Sequence, residues 1–207
     1  MSFVSLSQRL SEICSENRSV NAGILCSVVE LGLEIAREGR EGRKIGTLFV
    51  VGDEKKVIKS STLLILDPLY GHPASYKQIG NTNLRETVKE LAQLDGGFII
   101  DDQGVFLSAG RYFYTGKDHI ELPLGLGSRH MAGASITLET DAVAVVVSES
   151  SVVRIFDGGK IIAEIIPEVW MLQRASRRLQ DSEVEEFEKE NVTLVSEKKQ
   201  KEGSRED

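Results

Sequence analysis

The 207 residues, 41% of them hydrophobic, suffice for one well-buried domain with helical additions and fall short of two large ones. The net charge is −7, but residues 181–207 hold ten acids and five bases, so the remaining chain is close to neutral at −2. That balance excludes a broad basic face for a nucleic-acid polymer and leaves a small phosphate ligand open. Cys14 and Cys26 have no Cys/His set of zinc-site spacing around them and read as ordinary reduced thiols.

Taken in chain order, Leu6, Leu10 and Ile13 share one helical face, and Ile24, Val28, Leu31 and Ile35 repeat the spacing in a longer helix that ends in the polar run Arg37–Arg43. Arg9, Glu12, Glu16 and Arg18 break any signal-peptide core, and the apolar run Ala22–Leu33 contains Glu30 and is too short to span a bilayer. The chain is therefore expected to be cytoplasmic and off the membrane. Gly46 to Val51 reads as a buried strand, residues 60–80 as a loop-rich crossover, and Leu84, Val88 and Leu91 as the face of a helix capped by Thr82 or Asn83.

Leu94-Asp95-Gly96-Gly97 then turns into Phe98-Ile99-Ile100, and Asp101-Asp102-Gln103-Gly104 makes a hairpin into Val105-Phe106-Leu107. Arg111 to Thr115 continues into a loop reaching Leu124, a helix runs from Arg129 to about Glu139, and strands follow at 142–147, 152–156 and 160–166. From Glu168 the pattern turns helical, with Trp170 anchoring its start and a charged tail beyond. The organisation is a helical extension over 1–44, an α/β domain with a mixed central sheet over 45–167, and a C-terminal helix plus charged tail over 168–207.

Three clusters at element ends carry chemistry. Asp95 is followed by two glycines, which lets its carboxylate project while the backbone approaches a ligand; a carboxylate there can hold a divalent metal or take a proton from a hydroxyl. Gly125 and Gly127 lead into Ser128-Arg129-His130, a helix cap, a permanent cation and an imidazole at a helix start that favours anions. Ser148-Glu149 closes the most apolar strand. Tyr112, Phe113 and Tyr114 offer rings to a base, with alternation burying some and exposing others. His72 and His119 read as loop residues.

Asp95-Gly96-Gly97, Gly127-Ser128-Arg129-His130-Met131 and Ser148-Glu149-Ser150, with Asp141-Ala142 and the Gly158-Gly159-Lys160 turn, together resemble the diadenylate cyclase family over roughly residues 45–165. Gly97 stands where the family has alanine and Met131 where it has a second arginine; methionine there and the lack of an anchor are similar to soluble archaeal-type members. The resemblance implies a homodimer or higher homo-oligomer that condenses two ATP into cyclic di-AMP and two pyrophosphates with Mn²⁺ or Mg²⁺. It implies Asp95 as the catalytic residue, with Asp95, His130 and Glu149 at the metal. It further implies ATP contacts from Gly96, Gly97, Tyr112, Phe113, Gly127, Ser128, Arg129, His130, Ser148 and Glu149. A nucleotide-binding sensor of the same fold and a different nucleotidyltransferase stay open as alternatives.

Overall fold

A computed structural model describes residue 8 and residues 11–13, 19–64, 66–116, 120, 122–167, 182–187 and 192–197. The helices are α1 (Ala22–Glu38), α2 (Glu54–Lys59), α3 (Thr82–Leu91) and α4 (Ser128–Glu139). The strands are β1 (Thr47–Val51), β2 (Ser61–Leu63), β3 (Gly97–Ile100), β4 (Phe106–Phe113), β5 (Val143–Val147), β6 (Val153–Asp157), β7 (Lys160–Ile166), β8 (Ser182–Phe187) and β9 (Val192–Glu197). They form one mixed sheet in the order β2-β4-β3-β1-β5-β6-β7-β9-β8, in which β1 and β3 run parallel and the other paired strands antiparallel.

Strand β1 is buried at all five positions because both faces of the sheet are covered, as a continuous apolar run requires. Phe49 and Val51 face α1 and α3, sharing a core with Leu25, Leu31, Ile35, Val88 and Val145. Leu48 and Val50 face the other way, toward Ala134 and Ile136 of α4 and Val57 of α2. Phe49 stacks on Phe98 with centroids 5.1 Å apart, and Phe106 meets both rings edge-on. Helix α4 lies close to the sheet at Gly133, where an added Cβ would come 3.0 Å from Val146.

Local chemistry sets the ends. Asn21 caps α1 by accepting from the Gly23 and Ile24 amides at 2.9 and 3.2 Å. Asn81, rather than Thr82 or Asn83, caps α3 in the same way. The Asp101–Gly104 hairpin forms as its sequence predicts: Asp101 accepts from the Gln103 and Val105 amides, and Gly104 takes φ 79°. Lys89 of α3, almost fully buried, pairs with Glu34 and Glu38 of α1 and with Glu86, joining the two helices by charge as well as by packing.

Several expectations change. The segment read as helix and tail contains β8 and β9, and β9 adds to β7 in register Ile165↔Leu194. The acid count of this segment obscures the strand-favouring run Val192-Thr193-Leu194-Val195, three of whose four residues are β-branched. Residues 168–181, with Trp170, and residues 198–207 lie outside the described residues, as do Leu6, Leu10, Cys14 and His119. Strand β4 runs on to Phe113 because β2, hidden in the crossover, pairs with its last three residues. Among the described residues no helix is long and apolar enough to cross a membrane.

Candidate functional site

The parallel β1–β3 pair requires a crossover, and α3 supplies it before delivering the chain to Asp95 at the start of β3. Gly96 takes φ 94°, and an added Cβ would meet the Gly110 and Arg111 backbone at 2.7 Å. Gly97 is equally committed: a Cβ there would lie 2.6 Å from the Leu48 carbonyl oxygen, so alanine does not fit this backbone unshifted. The turn thus pins two glycines against neighbouring strands and leaves the Asp95 side chain 92% exposed.

Helix α4 begins one residue earlier than expected. Gly127 is its N-cap with no side-chain cap bond, so Ser128 is the first helical residue instead of the cap. The Gly127 carbonyl accepts from the His130 and Met131 amides at 3.1 and 3.3 Å. The earlier amides of Ser128 and Arg129 lie at the positive end of the helix, where an anion is favoured. Arg129 reaches from this first turn to Glu149 Oε1 at 3.2 Å, and its other terminal nitrogen is 4.0 Å from Asp95 Oδ1. One guanidinium therefore bridges the carboxylates of the two outer clusters.

A cavity of about 440 Å³ opens here, lined by Asp95, Gly96, Gly97, Tyr112, Phe113, Ser128, Arg129 and Glu149, together with Leu48, Leu64, Arg111 and Ala132. A second, of about 430 Å³, lies beyond the Arg129–Glu149 pair and is lined by Gly125, Leu126, Gly127, His130, Ser148, Ser150 and Arg154 in addition to Ser128, Arg129 and Glu149. The two share a wall and make one cleft with an apolar, ring-bearing half and a polar, glycine-lined half. Strand alternation buries Phe113 and exposes Tyr112 and Tyr114, whose rings meet edge-on at 6.2 Å.

All eleven of the expected residues line this cleft, but His130 has its ring engaged from below. It is buried, its ring packs beside Phe156, and Nε2 lies 3.0 Å from Arg154 Nη1. A guanidinium only donates, so Nε2 is an acceptor already engaged, which removes that nitrogen from a metal or a phosphate. Among the described residues there is also no group of three or more His, Cys, Asp and Glu placed to hold a metal ion.

Three contributors escaped the sequence. Gly46, which reads only as a strand boundary, sits against the Arg129–Glu149 pair: a Cβ there would lie 2.9 Å from Arg129 Nη1. Arg111 is tied to the Ser61 hydroxyl at 2.9 Å and to the Ile58 and Ser61 carbonyls, which holds the end of β4 beside the cavity. Its signal was a cation inside a strand pattern. Arg154 had the same signal on β6.

A mixed sheet covered on both faces, with a cleft of carboxylates, arginine and glycines at strand and helix ends, has the form of an α/β ligand-binding domain. The family model described as "DAC: DisA bacterial checkpoint controller nucleotide-binding" matches residues 34–161, and the chain belongs to this family. It is similar to a diadenylate cyclase of Methanocaldococcus jannaschii, 48% identical over 144 residues, covering 69% of this chain and 45% of the relative. It is also similar to a diadenylate cyclase of Haloferax volcanii, 40% identical over 155 residues, covering 74% and 56%. The chain thus spans about half the length of these curated relatives. In fold alone it is similar to a crystal structure of a hypothetical membrane-spanning protein from Bacillus cereus, with a TM-score of 0.50 and 17% identity over 68% of this chain and 67% of the other.

Proposed function

We propose that the protein is a diadenylate cyclase, joining two ATP molecules into cyclic di-AMP with release of two pyrophosphates. The observation that carries this reading is the convergence of Asp95, Arg129 and Glu149 on one cleft that also holds Tyr112 and the glycine-lined start of α4. Family membership and the two similar cyclases support it. The ring-bearing half takes adenine, beside Tyr112 and over Phe113; Arg129, the α4 amides and Ser148 take phosphate oxygens.

Each 3′-hydroxyl attacks the α-phosphorus of the other nucleotide; a P–O bond forms, the bond to the β-phosphate oxygen breaks, and pyrophosphate leaves. Asp95 accepts the hydroxyl proton, and Arg129 offsets charge on the phosphate. Because one exposed cleft presents one Asp95, two protomers face each other to serve two nucleotides, as a homodimer within the cytoplasm.

Asp95 and Glu149 suit Mg²⁺ or Mn²⁺, hard ions held by one or two protein carboxylates with phosphate oxygens and water completing the shell. When bound, such an ion would neutralise phosphate charge. His130 lines the neighbouring cavity, with its Nε2 facing Arg154.

The test is to incubate purified protein with ATP and Mn²⁺ or Mg²⁺ and identify the product by mass spectrometry. Cyclic di-AMP and pyrophosphate are expected, with Asp95→Asn retaining ATP binding and losing turnover. ATP binding with no product, or a mononucleotide joined to another acceptor, would overturn the reading.

A further inference from the structure

Beneath the first turn of α4, Arg154 of β6 and Glu164 of β7 sit directly opposite each other in the sheet and form a salt bridge, both almost fully buried. The pair lies on the α4 face, since Val153 and Ile155 flank Arg154 on the opposite face while Phe156 shares its own. Two charges under a helix are a poor device for stability: their desolvation roughly cancels their attraction, and apolar residues of similar size commonly serve as well or better. What the pair does have is direction. Glu164 anchors the guanidinium through Nε, and Nη1 is presented to His130 Nε2 at 3.0 Å.

His130 follows Arg129 directly, about 100° further around the helix. Its ring, held by Arg154 on one edge and packed beside Phe156, is therefore a stop on the rotation of α4. At a side-chain radius of about 6 Å, a turn of about 10° displaces the neighbouring side chain by about 1 Å. Misplacement of that size at a reacting centre costs up to about 100-fold. Arg129 spans Asp95 and Glu149 at 4.0 and 3.2 Å, so its aim leaves little slack.

We propose that Arg154, anchored by Glu164, is a positioning residue: it holds His130 as the neutral, Nδ1-protonated tautomer and thereby fixes the rotation of α4 that aims Arg129 into the cleft. This rests on the reading of the cleft as a nucleotide site. It assigns His130 a mechanical part, distinct from phosphate or metal binding, and gives the buried pair a purpose that stability does not.

The experiment compares the parent chain with Arg154→Met/Glu164→Met, which removes both buried charges and keeps the volume. Long-range ¹H–¹⁵N spectra of the histidine rings are expected to show His130 as the Nδ1–H tautomer in the parent and to show that signature lost in the double variant. The melting temperature should stay within about 3 °C while kcat/KM for ATP falls about 10–100-fold, a split that a purely structural pair would not produce. Should the double variant not fold, Glu164→Gln, which keeps a hydrogen bond to Arg154, is expected to give the same effect at about 3–10-fold. An Nε2–H tautomer in the parent, or unchanged kcat/KM in the folded variant, would overturn the proposal. A parent that neither binds nor converts ATP refutes the cleft reading instead, and the ring spectra still decide whether Arg154 sets the His130 tautomer.

Discussion

Replacing Arg129 by methionine separates the site from the fold. The side chain is about one-third exposed, and its two partners, Asp95 and Glu149, are 92% and 71% exposed, so both carboxylates remain hydrated when the cation goes. Ion pairs of that exposure contribute about 0–1 kcal/mol to stability. For a domain of this size that is a fall in melting temperature of at most about 4 °C. A bound phosphate loses more: a charge-assisted hydrogen bond is worth about 1.5–3 kcal/mol, and the anion then faces two carboxylates with no guanidinium between them. A loss of about 2–3 kcal/mol corresponds to about 30–150-fold in affinity. Equilibrium titration with a fluorescent ATP analogue, with melting curves on the same samples, measures both quantities. Affinity within threefold of the parent would refute this account of the cleft, and a melting temperature lowered by more than about 8 °C would assign Arg129 to the fold instead.

Gly96→Ala is expected to destabilise by about 2–4 kcal/mol in denaturant unfolding, since it combines φ 94° with a Cβ 2.7 Å from two backbone atoms; a loss under 1 kcal/mol would mean that the turn relaxes. Lys89→Met should cost about 1–2 kcal/mol, less than a fully buried ion cluster because Glu34, Glu38 and Glu86 stay partly hydrated, and the difference should shrink in 1 M salt; a salt-independent loss would point to packing. Burial opposes ionisation of Asp53, but the Asp141 amide and the Lys56 ammonium outweigh it and hold its carboxyl below 3.8. Its contribution is therefore complete above that value and lost as pH falls through the lower, folded-state value, so Asp53→Asn should remove part of the acid loss of stability. An acid-unfolding limb identical in parent and variant would exclude Asp53 from it.

The sheet was legible where one signal dominated. Thr47–Val51 and Val143–Val147 are buried throughout because both faces are covered, and the Asp101–Gly104 and Gly158-Gly159 turns announce hairpins through residues that accept positive φ. It was illegible where signals competed. In α2 only Val57 is buried, so the segment shows no helical face, and β8 and β9 hide under a charge density typical of solvated tails. The cleft residues were readable as three clusters at element ends, but their convergence depends on β1 lying between β3 and β5, a neighbour relation that no local pattern encodes. The buried contact of His130 is hidden for a similar reason: its type announces ligand chemistry, while its partner Arg154 is 24 residues away on a strand.

The exposure of Asp95 bears on timing more than on placement. Electrostatic interactions in a site strengthen when water is excluded from it. The chain's own strands hold the group in position but leave it wet. Under the proposed reaction, whatever covers the rim of the cleft therefore decides when this side chain leaves bulk water: its own sheet sets its place, and a surface outside that sheet sets its moment.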